Sequence, residues 1–145
     1  PDLKSAGIDT RKDSTLLVKR LDGGDVNVLD ARVREALNGA PAVESRISTI
    51  DYFQNPVKGN TPVVYLAVTS PGLLQIHERL CSVRDPVSDL EGDEFVPHIT
   101  LGRGSESAVK EVANRDIDPV SWTVTRLHLL DVRRGETVSR YHLPA

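Results

Sequence analysis

The sequence predicts an α+β protein made of two similar lobes, each with the element order β-α-β-β. Strongly β-prone runs such as residues 63–69 (VVYLAVT) alternate with segments in which apolar side chains recur every three or four positions. The same succession of strand, helix and two strands occurs twice along the 145 residues. We therefore expect one domain with two pseudo-symmetric lobes, mainly antiparallel sheets, and a ligand cleft between the lobes.

The first lobe is expected at about residues 14–69. Its predicted elements are a strand, a helix and two more strands, at residues 14–21, 29–37, 45–53 and 63–69. The helix is indicated by apolar residues on one face, Leu29, Val33, Ala36 and Leu37, and Gly39 can close its last turn. Residues 22–25 (DGGD) are typical of a turn and lack the spacing of a phosphate-binding glycine loop.

A connecting helix is predicted at residues 71–83, because Ser70 is a capping hydroxyl and Pro71 suits the first helical position. The second lobe follows an acidic loop and is expected at about residues 95–143. Its predicted elements are a strand, a short helix, a long strand and a final strand, at residues 95–103, 105–114, 120–132 and 137–143.

Composition narrows the classes of function. The net charge is −3 and the hydrophobic content 39%, so the chain can build a core but has no overall basic character for tight binding of long nucleic acid. A small phosphate ligand or an RNA end needs only local positive charge. Cys81 is the only cysteine, which favours a reduced, cytoplasmic setting, and no apolar run is long enough to predict a membrane span.

The segment 95–103 (FVPHITLGR) carries the strongest functional signal. Side chains alternate along a strand, so His98 and Thr100 should share one face while Ile99 and Leu101 enter the core. An imidazole can transfer a proton near neutral pH, and a hydroxyl two residues away can donate a hydrogen bond to an anionic oxygen. With Arg103 nearby as an anion partner, the pattern suits phosphodiester chemistry.

These features resemble the two-histidine (2H) phosphoesterase superfamily, and more closely its 2'-5' RNA ligase and RNA 2',3'-cyclic phosphodiesterase branch. The resemblance runs from about Thr15 to Tyr141. It rests on PHITLGR at residues 97–103, on PVVYLAVTSPGLLQIHERL at residues 62–80, and on the duplicated element order.

The resemblance implies two His-x-Thr/Ser motifs, one per lobe, that act as base and acid on a cyclic phosphodiester without a metal or another cofactor. His98 and Thr100 match the second motif. In the first, Thr15 stands at the threonine position and Asp13 at the histidine position, or Ser14 after a shift of one residue. Family members also carry a strand and a helix before the first motif, whereas about a dozen residues precede it here, so we expect truncation or a modified first lobe.

The leading hypothesis is therefore a cyclic phosphodiesterase or 2'-5' RNA ligase-like enzyme. His98, Thr100, Thr15 and Asp13 would be catalytic, and Arg103, Lys19 and Ser14 would bind the substrate. The expected partner is an RNA end or a small cyclic nucleotide, with no membrane or metal partner and a monomeric state. The rival hypothesis is a degenerate, non-catalytic module of the same fold that binds an RNA end or a nucleotide.

Other histidines have simpler interpretations. His77 lies on the inner stripe of the connecting helix and is expected to be a packed or capping residue. His128 shares a strand face with Arg126 and Trp122; the three could line the cleft or pack under the sheet, and packing is the favoured interpretation. Four histidines without close spacing argue against a zinc site, and the acidic loop does not fit a calcium-binding hand.

Overall fold

The computed structural model describes residues 9–10, 15–54 and 61–144, and these ranges contain three α-helices and seven strands. The helices α1, α2 and α3 span Val26–Ala36, Pro71–Leu80 and Glu106–Ala113. The strands β1 to β7 span Asp9–Thr10, Val43–Phe53, Val63–Thr69, His98–Arg103, Val120–Val124, Arg126–Asp131 and Glu136–His142. Helices combined with antiparallel strand pairs confirm the predicted α+β class.

The strands form two sheets. The larger has the order β1-β4-β3-β2-β5, and its β1–β4, β4–β3 and β3–β2 pairs are antiparallel. The smaller is the antiparallel β6–β7 hairpin. Strands β3 and β4 are therefore central, and each of them has a neighbouring strand on both sides.

The described chain divides into two compact units, each assembled from three separate segments. Unit 1 combines residues 1–17, 46–69 and 96–121, and unit 2 combines residues 18–45, 70–95 and 122–145. These units do not follow the predicted lobes at 14–69 and 95–143, because successive segments of the chain alternate between the units. Sequence order therefore does not separate the fold into two halves.

Unit 1 has a small apolar core on one face of its sheet. Val64 of β3 and Val109 and Val112 of α3 are fully buried. The partly buried residues packed against them are Ile50, Tyr52, Leu101 and Ala108. We call this side of the sheet the α3 face. Because α3 covers it, the polar side chains of β3 and β4 are directed to the opposite face.

Unit 2 has a core built from its two helices and the end of the chain. Its largest fully buried side chains are Leu73, Ile76 and Leu143. The positions Leu29 and Val33 of α1 are buried, as the predicted apolar face required. Helix α2 begins as expected, with the Ser70 hydroxyl accepting a hydrogen bond from the Leu73 N–H at 3.2 Å.

The predicted strand at residues 14–21 is wrong for most of its length. Within the described residues, Leu16 forms one isolated antiparallel bridge with Ile99. Further along, the backbone polar groups bond to side chains instead of to a neighbouring strand: the Val18 carbonyl to His77, and the Arg20 N–H to Glu91. Backbone groups satisfied in this way have no need of a strand partner.

Three other boundaries differ from the sequence-based expectation. Helix α2 ends at Leu80 instead of residue 83, and β4 begins at His98 instead of residue 95. The long strand predicted at 120–132 is interrupted at Thr125 and forms β5 and β6, which belong to different sheets. A β-prone run shows no sequence signal for such a change of partner, since both parts remain extended.

Candidate active site

His98 is the centre of the candidate site, and its ring is fixed in one tautomer. Its Nδ1 lies 2.6 Å from the carbonyl oxygen of Val96. A carbonyl can only accept, so Nδ1 carries the proton and donates it. The neutral ring then keeps its basic lone pair on Nε2, to which none of the described residues donates a hydrogen bond. His98 is half-buried, so this nitrogen can meet a ligand.

Two aromatic rings flank His98 on the same face of the sheet. Phe53 of β2 and Tyr65 of β3 are stacked, with their centroids 4.3 Å apart. Both rings meet the imidazole edge-on, at centroid distances of 5.4 Å from Phe53 and 5.2 Å from Tyr65. Such contacts limit the rotation of the imidazole and shield one side of it from water. We call this side of the sheet the His98 face.

Tyr65 has a polar role as well as a packing role. It is buried, and it stands opposite Asp51 in the register of β2 and β3. Burial, together with the charge and hydrogen bond of Asp51, raises the pKa of Tyr65 to about 12. The phenol therefore stays protonated near neutral pH, and the ring is held in place beside His98.

Thr100 lies on the His98 face, as strand alternation predicts. In the register of β3 and β4, Tyr65 pairs with Thr100 and Ala67 pairs with His98. Residues directly opposite each other share a face. The hydroxyl of Thr100 is thus on the same side of the sheet as Nε2 of His98.

Thr15 lies beside Thr100 instead of on a separate lobe. Since Leu16 bridges Ile99 in an antiparallel sense, the register places Thr15 opposite Thr100. Thr15 is exposed and Thr100 is half-buried. Two hydroxyls from neighbouring segments of unit 1 therefore stand next to each other on the His98 face.

Arg103 reaches the His98 face through a bulge. Strict alternation would place it on the α3 face, opposite to His98. The ladder pairs Val64 with Gly102 but Tyr65 with Thr100, so Leu101 is an extra residue that reverses the alternation. Arg103 then pairs with Val63, on the face that carries Tyr65. Its Nη1 donates to the Thr61 carbonyl at 2.9 Å.

Lys19 does not have the position expected of a phosphate-binding cation. Its Nζ lies 2.6 Å from Oε1 of Glu91, and both side chains are only 1% exposed. Glu91 also accepts hydrogen bonds from the N–H groups of Arg20 and Val87. The positive charge of Lys19 is thus neutralised inside unit 2. Asp13 and Ser14, the residues predicted for the first motif, lie outside the described residues.

The other histidines are placed as follows. His77 is buried, donates from Nδ1 to the Val18 carbonyl, accepts at Nε2 from the Gly92 N–H, and stacks on Phe95, so the prediction of a packed residue is confirmed. His128 is exposed on β6, so the expected packing under a sheet is wrong. No group of three or more His, Cys, Asp or Glu among the described residues is arranged to hold a metal ion.

Sequence reasoning missed Phe53 and Tyr65. Both occur in β-prone runs, where aromatic residues are ordinary core components. Their proximity to His98 depends on the pairing of three strands, which alternation within one strand cannot specify. The two residues could have been found if the strand order β4-β3-β2 had been known, because that order puts residues 98, 65 and 53 on one face.

Known proteins are similar to this chain in family and in fold. The family model described as "2'-5' RNA ligase superfamily" matches residues 14–136, which is most of the chain. TT0787 of Thermus thermophilus, known from its crystal structure, is similar with a TM-score of 0.55 and 21% sequence identity, over 90% of this chain and 78% of that one. At that identity the likeness concerns the fold. No curated protein matches at a significant level.

Proposed function

The chain belongs to the 2'-5' RNA ligase superfamily, and on that basis we propose that it is a phosphoesterase that opens 2',3'-cyclic phosphate ends of RNA. Superfamily membership supports a phosphoesterase or ligase-like activity in general. The choice of a cyclic phosphodiester comes from the groups collected on the His98 face. The ligase reaction opens the same cyclic phosphate, with a ribose hydroxyl as the attacking group in place of water.

The observation that carries the proposal is the tautomer of His98. Because the Val96 carbonyl occupies Nδ1–H, Nε2 is available to take or give a proton. A general base must lie within hydrogen-bond reach of the proton that it removes, and the basic lone pair of His98 is on Nε2. The flanking rings of Phe53 and Tyr65 keep the imidazole in the orientation that this transfer needs.

Hydroxyls and a guanidinium on the same face of the sheet as this nitrogen suit the phosphate. Thr100 and Thr15 would donate hydrogen bonds to its non-bridging oxygens, and Arg103 would offset its charge. These three residues reach the His98 face from β4 and from the segment bridged to it. No step of this scheme calls on a metal ion.

In the hydrolysis, a base removes a proton from water while the water oxygen bonds to phosphorus. The bond from phosphorus to one ribose oxygen breaks, and an acid gives a proton to that oxygen. The two proton transfers occur on opposite sides of the phosphorus, so one imidazole cannot perform both in a single displacement. We assign one transfer to His98 and the other to Asp13, which stands at the histidine position of the first motif.

The second candidate is a non-catalytic binding module of the same fold. The observation that favours it is the aspartate at position 13, because His98 is the single histidine in the segments of unit 1. Loss of one member of an acid–base pair costs about 10²–10⁴ in rate. A protein of this kind would hold the same ligand and release it unchanged.

The test is turnover of a 2',3'-cyclic mononucleotide by the wild type and by His98→Asn. The asparagine amide can still donate to the Val96 carbonyl but has no basic nitrogen. We expect the rate to fall by about 10²–10⁴ while the nucleotide still binds. Thr137→Val, which changes an exposed threonine of β7, is the control and should retain the wild-type rate.

The outcomes separate the two candidates. Wild-type turnover that is lost in His98→Asn supports the enzyme. Binding without any wild-type turnover supports the binding module. Turnover that persists unchanged in His98→Asn would refute both the mechanism and the assignment of His98.

A further inference from the structure

The β6–β7 hairpin carries a cluster of basic side chains on its exposed face. Arg126 pairs with His142, and His128 pairs with Arg140. All four residues are exposed, and each arginine stands directly across the hairpin from a histidine. We call these four residues the Arg/His patch.

The hairpin has distinct inner and outer faces. Its inner side chains include Leu127 and the buried Tyr141, whose hydroxyl donates to Asp30 of α1 at 2.7 Å. The acidic residues of the hairpin, Asp131 and Glu136, pair with each other beside the turn, away from the patch. The outer face at the open end is therefore cationic, although the chain as a whole has a net charge of −3.

In the part of the chain that the structure describes, the arginines of the patch are not neutralised. Neither Arg126 nor Arg140 forms an ion pair with a carboxylate of the described residues, whereas Arg34 and Arg134 of the same unit do. Basic groups placed directly across a ladder destabilise a sheet when both are charged. A hairpin that keeps four such groups together has a surface complementary to an anion.

The spacing of the patch suits a chain of anions better than a single one. Paired residues lie about 5 Å apart, and positions two apart on a strand are separated by about 6.6–6.8 Å. The two arginines are diagonal neighbours, about 7–8 Å apart. Two guanidinium groups at this distance can bind two successive phosphates of one strand.

We propose that the Arg/His patch binds single-stranded RNA. Arg126 and Arg140 would bind the phosphates, and the rings of His128 and His142 would stack on unpaired bases. This goes beyond the proposed function, because it concerns a surface of unit 2 and holds whether or not His98 catalyses a reaction.

The side-chain types favour an RNA strand over a membrane or an acidic protein. All four end in planar groups, and unpaired bases stack on histidine rings and guanidinium planes. Anionic membranes attract clusters of about 4–8 lysines or arginines, whereas two arginines are permanently charged here. An acidic protein would use the charge but not the planar rings.

The experiment measures the anisotropy of a short labelled single-stranded RNA that ends in a 3'-hydroxyl and so carries no cyclic phosphate. Arg126→Gln/Arg140→Gln should weaken binding at least tenfold. The slope of log K against log salt should fall by about 1.4, from two phosphate contacts of about 0.7 each. His128→Ala/His142→Ala should also weaken binding at least tenfold, through lost stacking.

The matched control is Lys110→Gln/Arg115→Gln, which removes two charges from α3 and the residues just after it, where each is paired with a glutamate. It should bind RNA like the wild type. An equal loss in the control would overturn the proposal, as would wild-type binding to anionic phospholipid vesicles that exceeds binding to the RNA. Circular dichroism confirms that each variant is folded.

The same samples keep this proposal separate from the catalytic one. RNA binding without turnover of the cyclic mononucleotide contradicts the enzyme and supports the patch. Turnover without RNA binding contradicts the patch alone.

Discussion

The Val96 carbonyl and the two flanking rings determine what His98 can do. A free imidazole exchanges its proton between two nitrogens, but the bond from Nδ1 leaves one nitrogen for a ligand. Phe53 and Tyr65 restrict the ring from the side. The residue is therefore oriented before any ligand arrives, which lowers the entropy lost on binding.

A first prediction concerns position 13. Replacing Asp13 with histidine should raise the turnover of a cyclic mononucleotide by up to about 10²-fold, because an imidazole can both accept and donate a proton near neutral pH. Steady-state kinetics on the wild type and Asp13→His measure the change. The double variant Asp13→His/His98→Asn is the control and should lose the gain. An unchanged rate and pH profile in Asp13→His would remove position 13 from the site.

A second prediction concerns Tyr65. Because burial and Asp51 raise its pKa to about 12, the protonated phenol stabilises the folded state. That stabilisation is complete below the unfolded value of about 10 and is lost as the pH rises towards 12. The melting temperature of Tyr65→Phe should therefore decline less between pH 10 and 12 than that of the wild type.

Tyr141 provides the internal comparison for this measurement. Its pKa is also raised to about 12, by burial and by its hydrogen bond to Asp30, so part of the alkaline decline must remain in Tyr65→Phe. Identical alkaline slopes in the wild type and the variant would contradict the role assigned to the Tyr65–Asp51 pair.

At the scale of elements, periodicity predicted those segments that bury one face. Helix α1 lies close to its expected place because apolar spacing specifies it locally, and strand β3 lies at its expected place because its sequence is strongly β-prone. Periodicity failed where the backbone bonds to side chains of distant segments instead of to a neighbouring strand, as at Val18 and Arg20. The face of His98 and Thr100 followed from alternation, but that of Arg103 depends on a bulge that no local pattern announces.

A third prediction tests the buried ion pair between Lys19 and Glu91, which lies in the segment where the first strand was expected. Lys19→Met should lower the free energy of unfolding by about 3 kcal/mol, because it removes the nearer of the two cations that neutralise the buried Glu91 carboxylate. Urea denaturation monitored by circular dichroism measures the loss. Lys110→Met breaks the exposed pair with Glu106 and should change stability little. Equal losses in the two variants would show that burial of the pair does not matter.

At the scale of the whole molecule, the two units differ in whether they contain carboxyl groups with a clearly lowered pKa. The hydrogen bond from Tyr141 lowers the pKa of Asp30. Burial would raise the pKa of Glu91, but hydrogen bonds from Lys19, Arg20 and Val87 bring it below its ordinary value. Both carboxyl groups belong to unit 2.

A fourth prediction follows for acid solution. A lowered pKa gives stability that is present above the unfolded value of about 4 and is lost as the pH falls through the folded value. Unit 2 should therefore lose stability first. Hydrogen exchange, corrected for the intrinsic effect of pH, should show residues 18–45 and 70–95 losing protection before residues 46–69 and 96–121. Loss in the reverse order would contradict this account. Glu91→Gln should reduce the pH dependence within unit 2.

The alternation of segments between the two units has a consequence for synthesis on the ribosome. The chain passes between the units five times as it runs through their six segments. Each unit is complete only with its third segment, which is residues 96–121 in unit 1 and 122–145 in unit 2. A nascent chain that has emerged as far as residue 95 holds two of the three segments of each unit but the whole of neither. The edge of β3 stays unpaired until β4 has emerged, so the growing polypeptide exposes an open strand up to that point.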